Sequence, residues 1–99
     1  MKFKKGDKLY VRMDYRVGEE DMTHLDIQDH LAYVEKVAGE RFFLGGGFSN
    51  IDGGMCLFEA KDFEDAQSFA RNDPIIGKGF YRCDIYEWDL AVLSEDMVE

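Results

Sequence analysis

The chain contains little cysteine, little proline and little positive charge, and each shortage argues against a class of protein. Its 99 residues include 2 cysteines and 1 proline. Cys56 and Cys83 fall in predicted strands, so we interpret them as buried apolar side chains without a disulfide or a metal between them. Lys and Arg number 12 against 21 Asp and Glu, which gives a net charge of −9. Such a charge repels phosphate backbones and anionic lipids, so we expect neither a nucleic acid nor a membrane as a partner.

Long apolar runs are also missing. No stretch approaches the ~18 apolar residues of a transmembrane helix, and the opening Met-Lys-Phe-Lys-Lys is not followed by the apolar segment of a signal peptide. The hydrophobic fraction of 45% and the aromatic fraction of 14% are too high for a disordered acidic chain. We therefore expect a globular cytoplasmic protein with a single domain over residues 1–99, whose ends at 1–7 and 94–99 are loose.

The spacing of apolar residues predicts four strands and two helices. In chain order these are a strand at 8–14, a helix capped by Thr23 that ends near Gly39, strands at 41–47 and 55–58, a helix capped by Asp62 that ends near Asn72, and a strand at 80–88. The segment 15–22 is interpreted as a mobile acidic loop, and 75–79 as a turn with two apolar residues directed towards the core. Residues 90–93 are predicted to add a short edge strand or to cover a neighbouring subunit.

The order of these elements predicts the fold. Strand, helix, strand, strand, helix, strand is the ferredoxin-like βαββαβ pattern of the α+β class, with an antiparallel four-stranded sheet in the order 4-1-3-2 and both helices on one face. The runs Phe42-Phe43-Leu44 and Met55 to Phe58 are too apolar for the other face to stay uncovered. The sequence therefore predicts a homodimer in which two such sheet faces pack together.

Two ionisable residues are candidates for chemistry. His30 lies on the apolar stripe of the first helix, where a buried imidazole needs a partner, and Pro74 holds Asp73 at a fixed corner. Glycines 45–47 either let a ligand approach the backbone closely or form a flexible bend before the next turn. His24 is expected to be exposed and neutral in function.

Other chemistries have weaker support in the sequence. The two histidines lack the i, i+4 spacing of a metal-binding helix, the cysteines lack a CxxC spacing, and Cys56 sits among apolar residues that disfavour a thiolate. No glycine motif opens a helix as a nucleotide-binding loop does. We therefore expect no metal and no cofactor, and acid–base work by His30 and Asp73 remains.

A set of short motifs resembles a known family. The motifs are Gly53-Gly54, the helical Glu64-Asp65-Ala66, Asp73-Pro74, the glycine-rich turn after it, the strand that ends at Trp88, and the earlier His30-Leu-Ala-Tyr33. Together, over about residues 8 to 93, they resemble the YCII-related proteins, a branch of the dimeric α/β-barrel, ferredoxin-like group. The resemblance implies the same dimer of sheets that the apolar runs predict.

The resemblance also implies a site. In YCII-related proteins a histidine and the aspartate of the Asp-Pro turn are thought to form an active-site pair, and His30 and Asp73 match those positions. We expect a small cofactor-free enzyme that uses this pair for proton abstraction, isomerisation or elimination on a small, partly apolar molecule. The alternative is a non-catalytic dimer that binds a small ligand or another protein. The residues expected to border the substrate are Tyr33, Gly45, Gly46, Gly47 and Pro74.

Overall fold

The computed structural model describes residues 3–97. Four strands and three α-helices follow one another along this part of the chain. They are β1 (Lys8–Arg16), α1 (His24–Ala38), β2 (Phe43–Gly47), β3 (Gly54–Phe58), α2 (Phe63–Arg71), α3 (Pro74–Gly77) and β4 (Tyr81–Asp89), followed by a short 3-10 turn at Glu95–Met97. The α+β ferredoxin-like class predicted from the sequence is confirmed. None of the helices within residues 3–97 is long and apolar enough to cross a membrane.

The sheet is antiparallel, with the order β2-β3-β1-β4. This is the predicted 4-1-3-2 order read from the other edge. The central strand β1 places Arg12 between Cys56 of β3 and Ile85 of β4, and Asp14 opposite Cys83. Since β1 lies between the two strands that carry cysteines, both thiols are free, as predicted.

Helix α1 begins with a reciprocal capping pair and then divides its apolar stripe between two environments. The hydroxyl of Thr23 accepts from the amide of Asp26, and the Asp26 carboxylate accepts from the amide of Thr23. Towards the end of the helix, Val37 is buried in the main core. Nearer its start, Ile27 and Leu31 border a cavity and remain partly exposed. The stripe therefore forms core at one end and cavity wall at the other.

The segment after α2 differs from its prediction. Residues 74–77 form the short helix α3, whereas the sequence predicts a turn over 75–79. Asp73 is the N-cap of this helix and Pro74 occupies its first turn, where the missing amide hydrogen costs nothing. Of the two isoleucines that follow, Ile75 is buried. Four residues are too few to show helical periodicity, so apolar spacing did not reveal this element.

The other differences concern element ends. Strand β1 continues through Tyr15 and Arg16, which were assigned to a loop, because both residues pair with the start of β4. Strand β2 begins at Phe43, two residues later than the predicted strand at 41–47. Residues 90–93 contain no strand.

The expected loose ends are partly packed. Phe3 and Leu90 are buried together in a small cluster with Leu9. The amide of Phe3 donates to the carbonyl of Met97 at 3.0 Å, so the two terminal segments also touch each other. Phe3 is therefore packed, whereas residues 4–6 and 94–97 are exposed, and the looseness of the ends stays a prediction. Residues 1, 2, 98 and 99 lie outside the described part of the chain.

The sheet face away from the helices carries large apolar side chains. On the outer strands, Leu44 is 64% exposed, and Tyr86 and Trp88 are also exposed. On β3 the burial alternates, with Cys56 and Phe58 buried on the helix side and Leu57 only half-buried on the other. The prediction that β3 is buried on both faces does not hold within one chain.

Candidate active site

The imidazole of His30 contacts the carboxylate of Asp73. Nδ1 of His30 lies 2.9 Å from Oδ1 and 2.9 Å from Oδ2 of Asp73. The Asp73 side chain is 0% exposed, whereas that of His30 is 24% exposed and reaches the cavity. The contact between these two residues predicted from the sequence is therefore present.

Asp73 is held by the start of α3 as well as by His30. Its Oδ1 accepts a hydrogen bond from the amide of Ile75 at 3.1 Å. Burial alone would raise the pKa of Asp73, but the hydrogen bond from His30 and the positive charge of Arg12 outweigh it, and the pKa lies below its ordinary value. The carboxylate is thus ionised at neutral pH, and its orientation is set from three sides.

A buried arginine, which sequence reasoning missed, bridges two carboxylates. The Arg12 side chain is 1% exposed, and its Nε donates to Oδ1 of Asp14 at 2.8 Å. Its Nη2 lies 2.9 Å from Oδ2 of Asp73, an ionic contact without the alignment of a hydrogen bond. The guanidinium also lies over the ring of Phe69, 5.2 Å from its centroid.

The charges of Arg12, Asp14 and Asp73 determine the electrostatic environment of His30. With both carboxylates ionised, Arg12, Asp14 and Asp73 carry a net charge of about −1, since an arginine stays protonated. A neutral His30 leaves that charge uncompensated, whereas an imidazolium cancels it. His30 thus lies beside a group of charged side chains whose net charge is negative.

The cavity beside His30 has a volume of about 340 Å³. Its floor is backbone, because the glycines of β2 and of the start of β3 have no side chains to fill it. Arg12, Asp14 and His30 form its polar side. The apolar wall consists of Met22, Ile27, Leu31, Val34, Phe43, Ile75 and Tyr81.

The family model of the YCII-related domain matches residues 9–89 of this chain. The chain belongs to the YCII-related family. The prediction of this family from short motifs is confirmed.

One solved structure of a YCII relative shares the fold. It is 5-chloro-2-hydroxyhydroquinone dehydrochlorinase from Burkholderia phenoliruptrix AC1100, in complex with 2,5-dihydroxybenzoquinone. The match has a TM-score of 0.57 at 22% sequence identity and covers 80% of this chain and 93% of that one. Among curated proteins, none matches the chain.

Within this YCII-related domain, three glycines that were predicted to border the substrate lie at the cavity. Gly45, Gly46 and Gly47 all border the cavity. They belong to a regular edge strand, so the alternative interpretation as a flexible bend is wrong. A Cβ built on Gly45 would lie 2.6 Å from Cβ of Cys56, so this glycine is required by close packing of β2 against β3.

Two of the proposed substrate contacts lie elsewhere. The hydroxyl of Tyr33 donates to the carbonyl of Phe69 at 2.8 Å, and the two rings stack with centroids 5.8 Å apart. Tyr33 borders a second, more polar hollow of about 220 Å³. Pro74 is the first residue of α3 and is not among the residues that line the cavity of His30. Substrate contact by either residue has no support in this geometry.

Asp14 and Arg12 were missed because their signal is tertiary. Both lie on the helix side of β1, on the same face as the core residue Tyr10, in a strand whose alternation was visible. Burial raises the pKa of Asp14, although Arg12 opposes the shift. The sequence contained one usable sign, an arginine at the centre of a strand, because a charge buried against a sheet needs buried partners.

Proposed function

We propose that this protein is a cofactor-free enzyme that moves protons on a small, partly apolar molecule through His30. The observation that carries the proposal is the contact of Nδ1 of His30 with Asp73 at the wall of an open cavity. An ionised carboxylate can only accept a hydrogen bond, so Nδ1 must carry the hydrogen. In the neutral ring this leaves the lone pair on Nε2, which is then the base available to a bound molecule.

The reaction begins with proton transfer to Nε2. His30 takes a proton from a C–H or O–H group of the substrate, and the electron pair of the broken bond stays on the substrate. In an elimination that pair expels a group from the neighbouring atom, and His30 then passes its proton to the departing group or to water. In an isomerisation the substrate recovers the proton at a different atom, and His30 returns to its neutral form.

Asp73 and Arg12 act through His30. Asp73 holds the ring in one tautomer and offsets the positive charge that develops on it, while Arg12 keeps Asp73 ionised and in place. Neither residue needs to touch the substrate for this role. Loss of either should therefore lower the rate of proton transfer more than the affinity for the substrate.

The relative with the same fold makes elimination the first reaction to test. Its name describes the loss of hydrogen chloride from a chlorinated hydroxyhydroquinone, a small ring with both polar and apolar edges. The cavity of about 340 Å³ offers a similar combination, with an apolar wall and a backbone floor opposite His30. We therefore propose that this chain catalyses a proton abstraction coupled to elimination or isomerisation.

We further propose that the enzyme is a homodimer joined through the open sheet face. The exposed side chains of Leu44, Tyr86 and Trp88, with half-buried Leu57 beside them, are the support for this interface. A second copy would cover this apolar face. His30 lies on the helix side of the sheet, so its cavity stays outside such an interface.

The test is a screen for proton transfer in D₂O. The panel contains 5-chloro-2-hydroxyhydroquinone, other hydroxylated aromatics and small cyclic ketones, and mass spectrometry follows deuterium uptake and product formation. We expect at least one compound to react with the wild type and with His24→Ala, and to be unreactive with His30→Gln. His24 is the matched control because it is exposed at the start of α1, where its side chain lies 3.1 Å from Nε2 of Gln28 and away from the cavity of His30.

The dimer provides a check on folding. His30→Gln should elute at the same size as the wild type, since the residue belongs to the cavity and not to the interface. A panel compound that reacts equally fast with wild type and His30→Gln would rule out His30 as the base. A panel that shows no reaction with the wild type would favour a dimer that only binds its ligand.

A further inference from the structure

The carboxylate of Asp14 has one oxygen engaged and one available. Oδ1 accepts the hydrogen bond from Nε of Arg12 at 2.8 Å. Within residues 3–97 no donor is placed to bond to Oδ2, and the side chain is 15% exposed. Asp14 lines the same cavity as His30. Oδ2 is therefore an acceptor that a molecule in the cavity can reach.

The same cavity has no spare positive charge for an anion. Among the described residues that line it, Arg12 is the only one with a permanent cation. That cation is already shared by Asp14 and Asp73, at 2.8 and 2.9 Å. While His30 is neutral, a carboxylate entering the cavity would meet the net negative charge of this group and find no permanent cation free to pair with it.

We propose that Asp14 selects the substrate, accepting a hydrogen bond from a hydroxyl or amide N–H group of a neutral molecule and excluding molecules that carry a carboxylate. This inference rests on the proposed function, because it concerns the same cavity. Like charges a few ångströms apart in a partly screened site repel each other strongly. Discrimination against the anion should thus reach about tenfold or more in affinity.

Matched neutral and anionic probes test the selection without turnover. The pairs are 3-hydroxybenzamide with 3-hydroxybenzoate and 4-hydroxybenzamide with 4-hydroxybenzoate, each measured at pH 7 with the wild-type protein. Binding is followed by the NMR amide shifts of Gly45, Gly47 and Gly54 in the cavity floor. We expect the neutral member of at least one pair to bind at least about tenfold more tightly than its anionic partner.

A variant then identifies Asp14 as the cause. Asp14→Asn keeps an acceptor for Arg12 but removes the negative charge, so the ratio of affinities should fall towards one. Asp89→Asn makes the same change of net charge at the far end of β4, where Asp89 is exposed, and should leave the ratio unchanged.

The outcomes separate this inference from the proposed function. Any one of three results would overturn the selection by Asp14. The benzoates could bind the wild type as tightly as the benzamides or more tightly, or neither benzamide could shift the cavity amides. The third result is an affinity ratio that stays unchanged in folded Asp14→Asn. Selective binding of the neutral probes together with a panel that shows no proton transfer would support the selection and count against the acid–base function. Even if Asp14→Asn fails to fold, a wild-type ratio of one or less overturns the exclusion of carboxylates.

Discussion

Both carboxylate oxygens of Asp73 lie 2.9 Å from Nδ1 of His30, although 43 residues separate the two along the chain. Helix α1 supplies the histidine and the cap of α3 supplies the aspartate. The contact α1 makes with α3 is reinforced by Lys78, whose Nζ lies 2.9 Å from Oδ1 of Asp26. The alignment of the proposed base thus depends on the docking of two helices rather than on a loop.

Replacing Asp73 with asparagine should destabilise the fold. Asparagine is as good an N-cap as aspartate, so α3 keeps its start, but Arg12 loses one of its two buried counter-charges. Removal of one partner from a buried ion pair costs about 3–5 kcal/mol in the free energy of unfolding. Urea unfolding of Asp73→Asn measures this loss. The control is Asp29→Asn, since Asp29 is an exposed aspartate 3.9 Å from Lys78. We expect its free energy of unfolding to change by no more than about 0.5 kcal/mol. Equal stabilities of the two variants would contradict the prediction.

The stabilisation by Asp73 should disappear in acid. Its pKa in the folded protein lies below the ordinary value of 3.8, mainly because His30 and Arg12 outweigh the effect of burial. A carboxyl group with a lowered folded pKa stabilises the protein above its unfolded pKa, and this stabilisation is lost as the pH falls through the folded pKa. The difference in unfolding free energy between wild type and Asp73→Asn should therefore be large at pH 5 and shrink below about pH 4. A difference that stays constant between pH 5 and pH 2 would show that the charge of Asp73 is not responsible.

Local chemistry was sufficient to predict the two long helices. The Thr23 and Asp26 capping pair and the Asp62 cap mark starts that the structure reproduces. A partner for each of His30 and Asp73 could also be predicted, because a histidine on a buried stripe and an aspartate fixed by proline both need a hydrogen-bonding partner. Family resemblance supplied the pairing of these two in particular.

The full extent of the pairing between distant strands could not be predicted from local sequence. Tyr15 and Arg16 extend β1 only because β4 is long enough to bond to them, and nothing in their own neighbourhood shows this. Arg12 has its partners at positions 14 and 73, so its role emerges only when α3 is placed against β1. The long-range half of the site therefore requires tertiary information.

Glycine 45 should tolerate a methyl group poorly. A Cβ there would lie 2.6 Å from Cβ of Cys56 and 3.0 Å from the ring of Phe43. Overpacking of this kind costs about 1–3 kcal/mol. Gly47→Ala is the matched control on the same strand, since its Cβ would meet only the carbonyl oxygen of Gly53 at an ordinary 3.7 Å. Urea midpoints of the two variants check the difference, and equal midpoints would argue against close packing at Gly45.

The open sheet face should determine the oligomeric state. We expect light scattering at micromolar concentration to give twice the 11.4 kDa of one chain for the wild type. Leu57→Glu places a charge in the proposed interface and should give the single-chain mass. Leu25→Glu makes the same change on α1, where Leu25 is 62% exposed, and should remain a dimer. A wild type with the mass of one chain would refute the proposed interface.

The most direct test of the acid–base role is chemical rescue of a protein without the base. His30→Ala removes the imidazole but leaves Asp73 with Arg12, and space opens beside the cavity. With the most reactive compound of the panel, we predict that this variant exchanges deuterium at least about a hundredfold more slowly than the wild type, as expected for loss of a general base. Added imidazole should restore the rate with saturation, while it leaves the wild type unaffected. A His30→Ala protein that exchanges at the wild-type rate without imidazole would contradict the account.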